Sequence, residues 1–331
     1  MSTPLIHPDL GNGLTNHEPM VISALRDLGA SKAHIAKYHE IYGQNTRTVD
    51  ETRTSIDNVR TMLDWLGKQA NYRGLYDFFA TQIDQTGAKA TVNTYVHLLA
   101  DGVSGGALHP LIRLGHAVHD NDNSEITAAL AYWAWTYQPL PWPEASLTGE
   151  QDPVEVLKNL RKGQPWPSET ELNRPTITEE FANVTSLPGY HALSIKLNDD
   201  ALSLPKLKQL AIRVFWMHDD FILLHCVTAI QALERLALWM DKPEVLFQPI
   251  WRTLVVAWLV KDLHWQLEPE NNREPELTIP QIRTLAAHAF NDHTVKLVAA
   301  CLEGYQKTGD KLYWLAAERR VMNDKQTAGM L

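Results

Sequence analysis

The sequence predicts an all-α fold, a single large multi-helix domain over residues 1–331 with a Pro-rich irregular excursion over 138–204. Three observations carry that reading. Apolar residues recur at three-to-four spacing through long segments. Gly, Pro, Asn and Asp punctuate those segments where helices start and stop. Little of the chain alternates polar with apolar residues as a half-buried strand does. With 331 residues and 44% hydrophobic content there is enough apolar surface for a sizeable core.

Taken in order, "NHEPMVISALRDLGAS" offers Thr15 or Asn16 as an N-cap and Gly29 as a stop. "SKAHIAKYHEIYG" follows with its own serine cap and closing glycine, so the two form a helical hairpin. The same periodicity predicts helices over 51–67, 72–86, 89–100, 107–120 and 124–137. Between 138 and 204 the texture turns to prolines and turn residues, and only "PVEVLKNLRKG" reads as helical there. Trp142 and Trp166 argue that this excursion packs on the body, since a free linker rarely carries large aromatics. Helices follow over 205–240, 247–265, 279–289, 291–307 and 310–322, with an acidic, exposed loop at "EPENNREPELTIP".

The formal net charge is −9 and no basic stripe offsets it, which argues against a nucleic-acid partner. The two cysteines, Cys226 and Cys301, lie in apolar helical patterns rather than in a disulfide or zinc framework. "MSTPLIHPDLGNG" lacks a basic n-region and a long apolar run, and the longest apolar stretch, "LVVAWLVKDL", is interrupted by charge. The expectation is a cytoplasmic protein with no membrane association.

The chemical signal is histidine, of which there are 14. In "GGALHPLIRLGHAVH", the spacing of His109, Arg113 and His116 puts all three on one helical face. A lone His109 before Pro110 would equally serve as a cap. In "RVFWMHDDFILLHCVTAIQAL", His218 and His225 are seven apart and share a face, and His225 sits among apolar neighbours. A neutral imidazole there needs a carbonyl, a carboxylate or a metal. In "NDHTVKLVAACLEG", His293 and Lys296 are one turn apart. Either Lys296 snorkels while His293 caps the helix, or both are ligands. A ligand lysine must be a neutral amine or a carbamate formed with carbon dioxide, chemistry that burial favours by lowering the amine pKa. Nitrogen and oxygen donors together suit non-haem iron. His17, in "NHEP", read alone is a surface residue.

In order along nearly the whole chain, "TNHEPMVISALRDLGA", "GGALHPLIRLGHA", "FILLHCVTAIQAL" and "DHTVKLVAACL" resemble the questin oxidase-like family. That family is named for fungal oxidases that open an anthraquinone ring in a Baeyer–Villiger-like step. The resemblance implies a helical fold holding one mononuclear non-haem Fe(II) through histidines and, at an H-x-x-K motif, a carboxylated lysine. Carried over position by position, it makes His17, His109, His225, His293 and Lys296 the metal ligands. Arg113, His116 and His218 would be supporting or substrate-facing residues. Beyond "HPLI" the chain departs from the family pattern, with Arg113 and His116 where a polar residue and an aromatic are expected.

The activity implied is oxygenation or carbon–carbon cleavage of an aromatic or phenolic, polyketide-like substrate, with O2 as co-substrate. NADPH use has no supporting motif, because "GVSGGA" neither follows a strand nor has dinucleotide spacing. Two other classes compete. His218-Asp219 in a helical chain suggests an HD-type metal-dependent phosphohydrolase, and a non-catalytic helical binding module would make every histidine structural.

Overall fold

A computed structural model describes residues 5–11, 13–49, 53–143, 152–160, 166–265 and 273–330. Parts of the N-terminal stretch, of the excursion and of the acidic loop lie outside the described residues. Among the described residues there are eighteen α-helices, isolated β-bridges and no strand, so the all-α prediction holds.

The hairpin is α1 (Glu18–Leu28) and α2 (Lys32–Gly43). Gly29 takes the left-handed conformation that ends α1, and the Ser31 side chain caps α2. The N-cap of α1 is His17 rather than Thr15 or Asn16; the Asn16 side chain instead accepts the Glu18 N–H. The helix expected over 51–67 contracts to α3 (Val59–Asp64), which starts where the Asn58 side chain caps it. Then come α4 (Tyr72–Thr86), α5 (Ala88–Leu99), α6 (His109–Asp120) and α7 (Asn123–Trp135).

The excursion is more helical than its composition suggests. It holds α8 (Pro153–Asn159), α9 (Glu169–Leu172), α10 (Ile177–Thr185) and α11 (Pro188–His191). Capping boxes start α9 and α10, where Ser168 pairs with Glu171 and Thr176 with Glu179. The tryptophans hold the excursion to the body: the Trp166 indole N–H donates to the Leu259 carbonyl, and Arg252 stacks on Trp142.

The 205–240 helix is two helices, α12 (Leu204–His218) and α13 (Phe221–Ala237). Asp219 ends α12 in a left-handed conformation, and the Asp220 side chain caps α13 by accepting from the N–H groups of Ile222 and Leu223. His218 and His225 therefore do not share a helical face. The chain continues as α14 (Phe247–Val260), α15 (Ile279–Ala287), α16 (Asp292–Thr308), α17 (Lys311–Asn323) and α18 (Lys325–Ala328).

Helix α13 is the centre of the packing, buried along nearly its whole length and touching α6, α12, α14 and α16. Each fully buried Leu, Ile or Val there contributes about 1.5–3 kcal/mol of burial free energy. The crossing with α6 is close because residue 115 is glycine; a Cβ there would lie 2.4 Å from the Ala232 methyl. One hydrophobic cluster runs from Met20 to Val321 and includes Leu172, Phe181 and Tyr190 of the excursion. Cys226 and Cys301 are buried and unpaired. No helix among the described residues is long and apolar enough to cross a membrane.

Candidate metal centre

Four helices deliver histidines to one place. His17 is the N-cap of α1, His109 the first residue of α6, His225 lies one turn into α13, and His293 opens α16. Their rings form a closed circuit, with centroids 4.6 Å apart for His17 and His109, 4.8 Å for His109 and His225, 5.2 Å for His225 and His293, and 4.9 Å for His293 and His17. Ring nitrogens of His17, His109 and His293 all lie within 4.8 Å of one another, a group able to hold a metal ion. His17, read alone from sequence as a surface residue, is 8% exposed.

The backbone before His109 is forced into place. Gly106, Ala107 and Leu108 are all left-handed, with φ of 56°, 54° and 69°. For the two non-glycine residues this conformation costs roughly 1–2 kcal/mol each. The return is geometric: the turn brings the Gly106 carbonyl 2.7 Å from His109 Nδ1.

Three of the four imidazoles have their tautomer set by an acceptor. His17 Nδ1 donates to Asp292 Oδ2, His109 Nδ1 to the Gly106 carbonyl and His225 Nδ1 to the Phe221 carbonyl, each at 2.7 Å. A proton on Nδ1 leaves Nε2 with a bare lone pair. His17 Nε2 and His109 Nε2 face each other at 2.8 Å, so two lone pairs repel unless a cation lies between them. Neighbouring corners of one ion with nitrogen bonds near 2.1 Å are about 3 Å apart. The Nε2 atoms of His225 and His293 are buried without a hydrogen-bond partner, and so is Lys296 Nζ. Three buried atoms, His225 Nε2, His293 Nε2 and Lys296 Nζ, are thus uncommitted to protein hydrogen bonds, and His17 Nε2 and His109 Nε2 have only each other, where a hydrogen-bonded core would pair such groups.

Electrostatics favour the uncharged forms. Burial, then the nearby Lys296 and His225, hold His17 well below the usual histidine range. Burial and the other members of the cluster do the same to His109 and His293. Burial and Lys296 push His225 down to about 3. Burial pushes Lys296 itself down to about 7, so a large share of it is neutral amine near neutral pH.

The histidines form the floor of a cavity of about 710 Å³, a size suited to a small-molecule ligand. Its walls are the N-terminal loop with Leu10 and Leu14, the start of α10 with Thr176 and Ile177, and Phe221, whose ring lies 4.7 Å from both His225 and His293. Leu14 and Phe221 expose about half their surface at its edge, at 55% and 50%. Tyr42, Asn45, Thr15 and Thr178 add neutral polar groups.

The remaining sequence candidates lie elsewhere. Arg113 is buried but turns toward α7, its Nε donating to Glu125 at 2.8 Å, and it does not line the cavity. His116 sits against Ser23 and Arg235. His218 packs its edge on Trp258, and Asp219 pairs with Arg319, so the His-Asp dipeptide stands apart from the histidine circuit. Sequence reasoning missed Asp292, the Gly106–Leu108 turn and the α10 wall. The capping of α16, one role open to His293 from sequence, is performed by the Asn291 side chain.

Residues 14–200 match the family model described as questin oxidase-like, more than half of the chain. The match takes in His17, His109 and the α10 wall, while His225, His293 and Lys296 lie beyond it. No curated protein matches the chain at a significant level.

Proposed function

Because the chain belongs to the questin oxidase-like family, we propose that it is an oxidoreductase, a non-haem iron-dependent oxygenase. It uses O2 for Baeyer–Villiger-like oxygen insertion or carbon–carbon cleavage on a small aromatic or phenolic, polyketide-like substrate. The observation that carries this reading is the floor of four histidines, three with Nδ1 anchored and Nε2 turned inward. His17, His109, His225 and His293 hold one Fe(II), and Lys296, carboxylated on Nζ, supplies an oxygen donor. When bound, ferrous iron supplies the capacity to activate dioxygen.

The chain's own residues do the rest. Asp292 and the carbonyls of Gly106 and Phe221 fix ring orientation and keep each Nε2 unprotonated. Leu10, Leu14, Ile177 and Phe221 exclude water and offer apolar surface to a flat ring system. Besides the histidines, the charged side chain among the described lining residues is Asp292, which His17 already engages. A neutral, hydroxylated substrate hydrogen-bonding to Tyr42 or the threonines therefore suits the cavity better than an anion. NADPH is assigned no site, and nucleic acid and membrane are not partners in this reading. The buried free cysteines fit a reducing, cytoplasmic setting.

The test is metal content after reconstitution with ferrous iron and bicarbonate. The parent should carry close to one iron per chain, and His225→Ala and Lys296→Ala should each lose most of it. Equal, negligible iron in all three would return these residues to the core.

A further inference from the structure

A second cavity, about 10 Å³, adjoins Lys296 and shares no lining residue with the large one. That volume holds about one oxygen-sized atom. Its polar lining is His116, Thr228, Gln231, Arg235 and Lys296. Thr228 donates its hydroxyl to helix carbonyls. Arg235 commits Nε and Nη2 to Glu303 and Asp27, and its Nη1 donates to His116 Nδ1 at 3.3 Å. Arginine can only donate, so His116 Nδ1 is an acceptor and the ring proton resides on Nε2. Gln231 Nε2 is buried without a partner, as is Lys296 Nζ. The uncommitted groups around this hole are donors, and they have no acceptor.

We infer that the hole is an oxyanion pocket for a carboxyl group carried on Lys296, and that Gln231 is the positioning residue that holds its outer oxygen. The inference rests on the ligand role proposed above for a carboxylated Lys296. In the step concerned, the neutral Nζ lone pair attacks the carbon of CO2, an N–C bond forms as one C–O π bond opens onto oxygen, and Nζ releases one proton to bicarbonate in solution. The new anion has two oxygens: one is directed at the metal centre, and the other takes the Gln231 N–H.

The experiment is carbon-13 NMR of the full chain loaded with zinc in place of iron and equilibrated with labelled bicarbonate. The parent should give a carbamate resonance that is absent from Lys296→Ala. Gln231→Met, which keeps the shape without the donor, should lower it about ten-fold or more, the value of a hydrogen bond to a charged oxygen. Gln231→Glu, isosteric and repulsive toward the anion, should do the same should the methionine variant fail to fold. Helical circular dichroism must stay unchanged, which separates positioning from structural damage. A full-strength resonance in either folded variant overturns the role of Gln231 and leaves that of Lys296 intact. No resonance in the parent overturns both.

Discussion

At the scale of single residues, the centre is a set of bases kept free of protons by burial. His225 is held at about 3 against an ordinary 6.5, so below pH 6.5 an unfolded chain binds a proton that the folded chain refuses. The stability of the metal-free protein is therefore complete, for this group, above pH 6.5 and declines as pH falls toward 3. Lys296, at about 7 against 10.5, acts likewise at higher pH: stability rises between pH 7 and 10.5 as the unfolded chain gives up its proton. Urea denaturation across pH should show both limbs, and Lys296→Met should flatten the upper one. Asp292→Asn removes the carboxylate that orients His17 and should weaken metal affinity by roughly 10–100-fold in a competition titration. The family's short motifs made all five ligand candidates legible from sequence. Asp292 was not legible, because an acid in the first turn of a helix reads as dipole compensation, and its partner lies 275 residues away.

At the scale of elements, local chemistry was a good guide wherever caps were explicit. The boundaries of α4 came out as the periodicity predicts, and Gly29 and Ser31 stop and start helices as read. The excursion carries more helix than its proline content implies, because two S/T-x-x-E capping boxes start α9 and α10. Periodicity does not reveal the α12–α13 break, because the apolar pattern continues on both sides of Asp219 and Asp220, and only the left-handed residue and the side-chain cap interrupt it. Asp220→Ala should cost about 1 kcal/mol in thermal or urea unfolding, the usual loss for an N-cap aspartate. Gly115→Ala should cost about 1–3 kcal/mol, because a methyl 2.4 Å from Ala232 must push α6 off α13. That displacement also moves His109, so the same variant should bind iron less tightly.

At the scale of the whole molecule, the fold is a device for bringing distant residues to one point, and periodicity alone does not say which helix faces meet. Ligand candidates come from the start of α1 and from α16, near opposite ends of the described chain. A ligand bound by the folded chain alone raises its stability, so iron should raise the melting temperature and a chelator lower it toward the metal-free value, as a thermal scan would register. One wall beside the histidines comes from the excursion, through Pro175 to Thr178, so a proline-rich middle segment serves a site whose bases lie outside it. A further consequence of this spread concerns assembly. Neither half of the polypeptide owns the ring of bases, so a chain emerging from synthesis or partly melted has no firm grip on ferrous iron. Under the proposed function, an ion that generates damaging oxidants when left in the open would be admitted only after its shielding walls stand, and its retention would report a finished molecule.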